Sequence, residues 1–328
     1  MKKILIISLC VAGLAGLGLH SLHSWAATPD RTSGRPQIVT TTAQVADAVR
    51  AVTGDLAQVE SLMGEGVDPH LYRPTRSDIM KLKAADIVFY NGLHLEGQMV
   101  ELLEKLTKEK PVFAIAAMLP SNRLLDGPNG HDPHIWMNAQ NWISASDGIA
   151  LALSGLHPQH QETYMQNARD YSAKLEELDI YIRESFSRLP VKSRILVTAH
   201  DAFAYLGEAY GLQVTGIQGI STESEAGLKK IEELVDLLVE NRIPAVFIES
   251  SVSDRNIRAL IEGAAARGHQ VKIGGTLYSD AMGATGTYEG TYIGMMDHNA
   301  TTISRALGAA TPPQGLQGKL SLASNQHE

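Results

Sequence analysis

HPQHQETYMQNARDYSAKLEELDIYIRESFSRL, residues 157–189, decides how the rest of the chain divides. Beyond Pro158 it reaches Leu189 without another Gly or Pro, and Tyr164, Met165, Ala168, Tyr171, Leu175, Leu178, Ile182 and Phe186 recur mostly at three- and four-residue intervals. That spacing lays one apolar stripe along a single helix. Rising 1.5 Å per residue, such a helix is ~45 Å long, enough to run the height of a two-lobed molecule. Polar and aromatic residues interrupt the stripe, so it makes a poor coiled-coil heptad.

Two similar stretches flank this helix. Before it, β-rich runs fall at 38–40, 59–63, 86–90 and 111–115, with helical patterns at 42–53, 75–83 and 95–108. After it come β runs at 194–198, 212–217, 244–249 and 270–274, with helical patterns at 202–209, 223–241, 252–267 and 288–307. The alternation predicts an α/β chain of two lobes, 27–156 and 190–310, each a mostly parallel four-stranded sheet flanked by helices. Residues 311–328, rich in Gly, Gln, Ser and Asn, are expected to form a flexible tail.

Residues 1–26 read as a secretory signal peptide: Lys2 and Lys3 precede an apolar run from Ile4 to Leu19, and Ser24-Trp25-Ala26-Ala27 supplies small residues for cleavage after Ala26 or Ala27. An uncut anchor fits less well, because three glycines by position 18 and then His20 and His23 interrupt the span. The sole cysteine, Cys10, is a poor lipidation site, since bulky Leu9 precedes it. The exported chain then has no thiol, and any metal ligands must be His, Asp or Glu. The formal net charge of -8 becomes about -10 once the two leader lysines are removed. An acidic exterior of this kind argues against a nucleic-acid surface. No second apolar segment of bilayer length follows, so a pore has to belong to a partner.

The candidate chemistry lies where predicted strands end, the usual ligand position in open parallel sheets. His70 stands in Gly66-Val67-Asp68-Pro69-His70, His134 in His131-Asp132-Pro133-His134-Ile135-Trp136, His200 in Thr198-Ala199-His200-Asp201, and Asp280 in Leu277-Tyr278-Ser279-Asp280-Ala281-Met282-Gly283. Alone, each is as readily a surface histidine or a helix cap. Together, two in each lobe, they supply three imidazoles and a carboxylate, a complete donor set for one borderline-soft divalent ion. His131 competes with His134, but the rigid Asp-Pro step turns the two side chains apart. Asp68, Pro69, Tyr72 and Trp136 are expected to shape and cover the site. His94 is a candidate for lining the cleft but fits better a structural role or a supporting role behind the ligands, and Glu249 is either a reserve ligand or a hydrogen-bond partner of His200.

These motifs, with Tyr72-Arg73-Pro74-Thr75 after the first, resemble the metal-specific (zinc, manganese and iron) periplasmic or surface solute-binding proteins of ABC transporters over about residues 36–308. The resemblance is strongest to the treponemal Tro A-like subgroup, because many manganese-binding members carry Glu where His200 stands. It implies two α/β lobes joined by one long rigid backbone helix, the ligand set His70, His134, His200 and Asp280, and modest lobe closure. It also implies one divalent transition metal as transported ligand, manganese or zinc before iron, and no catalysis. Three histidines favour zinc, whereas the short segment 120–130 lacks the His-rich, acidic loop of many zinc-specific relatives. The expected partners are a membrane permease and its cytoplasmic ATPase, with no nucleic acid and a monomeric receptor at the periplasmic or extracytoplasmic face. A zinc hydrolase is disfavoured by the lack of a His-Glu-x-x-His helix, and a surface adhesin by the lack of repeats or an aromatic-rich patch.

Overall fold

The computed structural model describes residues 34–128 and 130–321. The expected signal peptide, residues 1–26 with Cys10, lies outside them. Gly34 onward forms one compact unit.

The first sheet is built from β1 (Gln37–Thr40), β2 (Gln58–Ser61), β3 (Ile87–Tyr90) and β4 (Val112–Ala114), all parallel in the order β2-β1-β3-β4. Parallel strands need crossovers, supplied here by α1 (Ala43–Thr53), α2 (Arg76–Ala84) and α3 (Val100–Leu106). A hairpin follows, β5 (Asp126–Gly127) with β6 (Gly130–His131), and then α4 (Ala139–Leu156), a helix the sequence reading did not separate from the first lobe.

The predicted long helix is α5 (Gln161–Ser187), which buries Tyr164, Ala168, Tyr171, Leu175, Leu178, Ile182 and Phe186. Its stripe packs with α1 and α4 into a hydrophobic core that continues past Tyr205, Phe247, Leu277 and Tyr292. This core runs through both lobes, beside a smaller separate cluster in each.

The second lobe contains β7 (Ile195–His200), α6 (Ala204–Tyr210), β8 (Gln213–Gln218), α7 (Leu228–Glu240), β9 (Ala245–Glu249), α8 (Arg255–Ala266), β10 (Lys272–Leu277) and α9 (Tyr292–Ala306). Its four strands pair as two parallel ladders, β7-β8 and β9-β10. Between β7 and β9 a side chain replaces the ladder at the site end, where Glu249 accepts the backbone N–H of His200 at 2.8 Å.

The expectation of a flexible tail from 311 is corrected for residues 311–321. Leu320 is buried, the Leu316 N–H donates to the Asp297 carboxylate, and the Ser321 N–H donates to Glu289. Composition suggested fraying because it cannot register two buried or half-buried acceptors awaiting those N–H groups.

Candidate metal centre

Each donor is delivered by local structure. Beyond β2 the chain reverses through Gly66 at φ 68°, a left-handed turn glycine tolerates, and Asp68 Oδ1 then accepts the His70 N–H at 2.9 Å. The same short turn recurs after the hairpin, where Asp132 Oδ1 accepts the His134 N–H at 2.9 Å and its ring Nδ1–H at 2.7 Å. His200 ends β7, and Glu249, ending β9, accepts its Nδ1–H at 2.5 Å. Asp280 follows β10, with its carbonyl held by the Gln44 side-chain amide at 2.8 Å.

The four side chains converge, and one donor atom from each lies within 4.8 Å of the others. His134 Nε2 is 3.4 Å from both His70 Nε2 and Asp280 Oδ1, while Asp280 Oδ2 is 3.2 Å from His200 Nε2 and 3.8 Å from His70 Nε2. A tetrahedral ion with ligands about 2.05 Å away would set its donors ~3.3 Å apart, close to these spacings. All four residues are buried. His200 Nε2 and both oxygens of Asp280 make no hydrogen bond among the described residues. Buried polar atoms without a hydrogen bond are costly unless they are coordinated, and a dication would meet all three.

Electrostatics fixes which ring nitrogen faces inward. Asp132 and Glu249 engage the Nδ1–H of His134 and His200, leaving each Nε2 lone pair for the centre. Burial disfavours a charged His134, but the hydrogen bond to Asp132 and then Asp280 outweigh it and hold the imidazole up at about 9. His200 is likewise raised well above its ordinary value, with burial opposed by Glu249 and Asp280. Asp280 is held well below the usual carboxylate range despite burial, mainly by His200 and His134. His70 goes the other way: burial, aided by the neighbouring imidazoles and only partly opposed by Asp280, pushes it down to about 4.

Other predicted residues separate cleanly. His131 is exposed, 3.6 Å from Asp126 and outside the cluster. His94 is also exposed, in a left-handed backbone conformation, and lines a surface groove with Tyr90, Glu96 and Glu104. Glu249 is the hydrogen-bond partner of His200 and not a ligand in the cluster. Trp136 packs edge-on 5.4 Å from the His134 ring and donates to the Ser279 carbonyl at 3.0 Å. The Tyr72 hydroxyl donates to Asp78 in the capping turn of α2. Asp132 was missed by sequence reasoning, although the tandem Asp-Pro-His at 68–70 and 132–134 carried the signal.

Two α/β lobes thus surround a buried group of three imidazoles and a carboxylate that could hold a metal ion. The chain matches the family described as zinc-uptake complex component A, periplasmic, over residues 38–306. It is 50% identical over 273 residues to the manganese-binding lipoprotein MntA of Bacillus subtilis, covering 83% of this chain and 89% of that protein. It is 42% identical over 302 residues to the zinc-binding protein TroA of Treponema pallidum, covering 92% and 98%. The solved structure of periplasmic zinc binding protein TroA from the same organism superposes with a TM-score of 0.81 at 43% identity, covering 84% of this chain and 99% of that one. The chain belongs to the family of these periplasmic metal-binding proteins.

Proposed function

We propose that this protein is the extracytoplasmic substrate-binding component of an ABC importer. In this reading it captures one divalent transition metal ion, manganese or zinc, through His70, His134, His200 and Asp280, and delivers it to a membrane permease driven by a cytoplasmic ATPase. The observation that carries the reading is the buried convergence of four donors, two of them locked by carboxylates behind the imidazoles. Among the described residues no helix is long and apolar enough to cross a membrane, so translocation falls to the partner. The relatives named for manganese and zinc binding support the choice of metals. Three nitrogens and a carboxylate also suit zinc more strongly than manganese, following the general affinity order of first-row dications.

A hydrolytic role is less well supported. The carboxylates beside the imidazoles, Asp132 and Glu249, already accept imidazole N–H groups, which leaves neither placed to activate a metal-bound water. We propose that the receptor acts as a monomer, with residues 1–26 removed on export. Competition between buffered manganese, zinc and iron under anaerobic conditions, with elemental analysis, tests the reading. One ion per chain is expected, with zinc held more tightly than manganese. Absence of stoichiometric metal would overturn it.

A further inference from the structure

The two sides of the cage are joined across the lobes very differently. On the Asp280 and His134 side the joints are buried: Gln44 to the Asp280 carbonyl, Trp136 to the Ser279 carbonyl, Tyr292 to the Trp136 carbonyl at 2.7 Å, and Tyr205 to the Asp132 carbonyl at 2.9 Å. On the His70 side the joint is a loop, residues 219–227 between β8 and α7. Thr222 is the one residue of that loop that is buried. Its hydroxyl donates to Asp68 Oδ2 at 2.6 Å, and the other oxygen of the same carboxylate holds the His70 N–H. Beside it, Gln98 and Glu223 meet at 3.3 Å in solvent.

We infer that Thr222 is a positioning residue for His70 and the latch of the cage, so that metal passes in and out where this loop lifts from Asp68. Resting on the proposed metal-capture role, the inference adds the side on which the site opens. Opening the Asp280 side requires breaking several buried hydrogen bonds together with core packing, whereas the His70 side is held by one charge-assisted bond, one exposed polar contact and the Ile220 side chain beside Gly127. When Thr222 lets go, Asp68 loses one of its two constraints, and His70 becomes free to swing before the other three donors move. No carboxylate among the described residues holds the His70 ring from behind.

The test uses the exported chain loaded with one equivalent of zinc or manganese, with release timed after mixing with excess chelator. Thr222→Val keeps the shape and removes the donor, and should release metal roughly tenfold faster, the size expected for losing one hydrogen bond to a charged group. Capture should also accelerate, so affinity falls by less than release accelerates. Thr222→Ser restores the donor and should return both rates toward the original, which a merely structural role for the side chain would not predict. In an Asp68→Asn background the Thr222→Val effect should shrink. If Thr222→Val folds poorly by circular dichroism, Thr222→Ala replaces it in the same assay. Equal release rates for the unaltered chain and the hydroxyl-free variant, at one bound ion each, would overturn the latch and leave metal capture standing. An unaltered chain that holds no stoichiometric metal would instead overturn the function, and the latch with it.

Discussion

Asp68-Pro69-His70 and Asp132-Pro133-His134 are the same tripeptide folded the same way, with each aspartate accepting the backbone N–H of its histidine at 2.9 Å. They differ in what else the aspartate holds. Asp132 turns inward onto the His134 ring, and its carbonyl is pinned by Tyr205. Asp68 instead reaches across the lobes to Thr222. A common local motif thus yields a rigid donor in one place and a releasable one in the other, and the distinction resides in tertiary partners, not in the motif. For a receptor that must both hold and surrender its ion, such asymmetry offers retention and release without dismantling the whole cage.

The comparison can be broken most directly at Asp132. Asp132→Ala removes both hydrogen bonds that orient His134, and metal affinity is expected to fall by roughly 10–100-fold, as for other groups that orient a metal-binding imidazole. Glu249→Gln, behind His200, should fall in the same range. Titration against a competing indicator measures both, and an Asp132→Ala chain with unaltered affinity would remove the claimed rigidity of the second tripeptide. Asp68→Ala should have a smaller equilibrium effect, less than about tenfold, because His70 is held only through its backbone. The larger change should appear in the rate of release. Were Asp68→Ala to cost as much affinity as Asp132→Ala, the two segments would not differ in the way described.

The smallest effect sharpens the contrast through pH. His134 lies at about 9 in the metal-free fold against an ordinary 6.5. Its protonated form therefore stabilises that fold fully below pH 6.5, and the contribution is lost as pH rises through 9. His70, pushed down to about 4, contributes in the opposite sense, fully above pH 6.5 and lost as pH falls through 4. Metal requires a deprotonated Nε2, so binding near neutral pH should expel protons from His134 and the similarly raised His200, but none from His70. Calorimetry in buffers of different ionisation enthalpy should detect that release between pH 6.5 and 9, and the metal-induced gain in thermal midpoint should grow across the same window. Binding without proton release there would contradict the charge assignments.

Much of this was legible in the sequence because it is local. The period of α5 marks the connecting helix, β-rich runs with intervening helical patterns mark the strands, and His70, His134, His200 and Asp280 stand in short motifs that can be recognised one at a time. His134 is the exception among the strand-end positions, following a two-residue hairpin strand and opening the turn before α4. What the sequence did not disclose depends on partners far along the chain. Thr222 lies 154 residues from Asp68, and Tyr205 lies 73 from Asp132, with no spacing rule linking them. Residues 311–321 were misread for the same reason, since their anchors Asp297 and Glu289 belong to α9 and the loop before it.

Whether one ion sits among these four side chains is decided by anomalous diffraction at the metal absorption edge, from crystals of the loaded chain lacking residues 1–26. The account predicts a single peak about 2.0–2.2 Å from Nε2 of His70, His134 and His200 and from the Asp280 carboxylate. A stoichiometric ion elsewhere, or one bound through Glu249 or His131 in place of these donors, would contradict it.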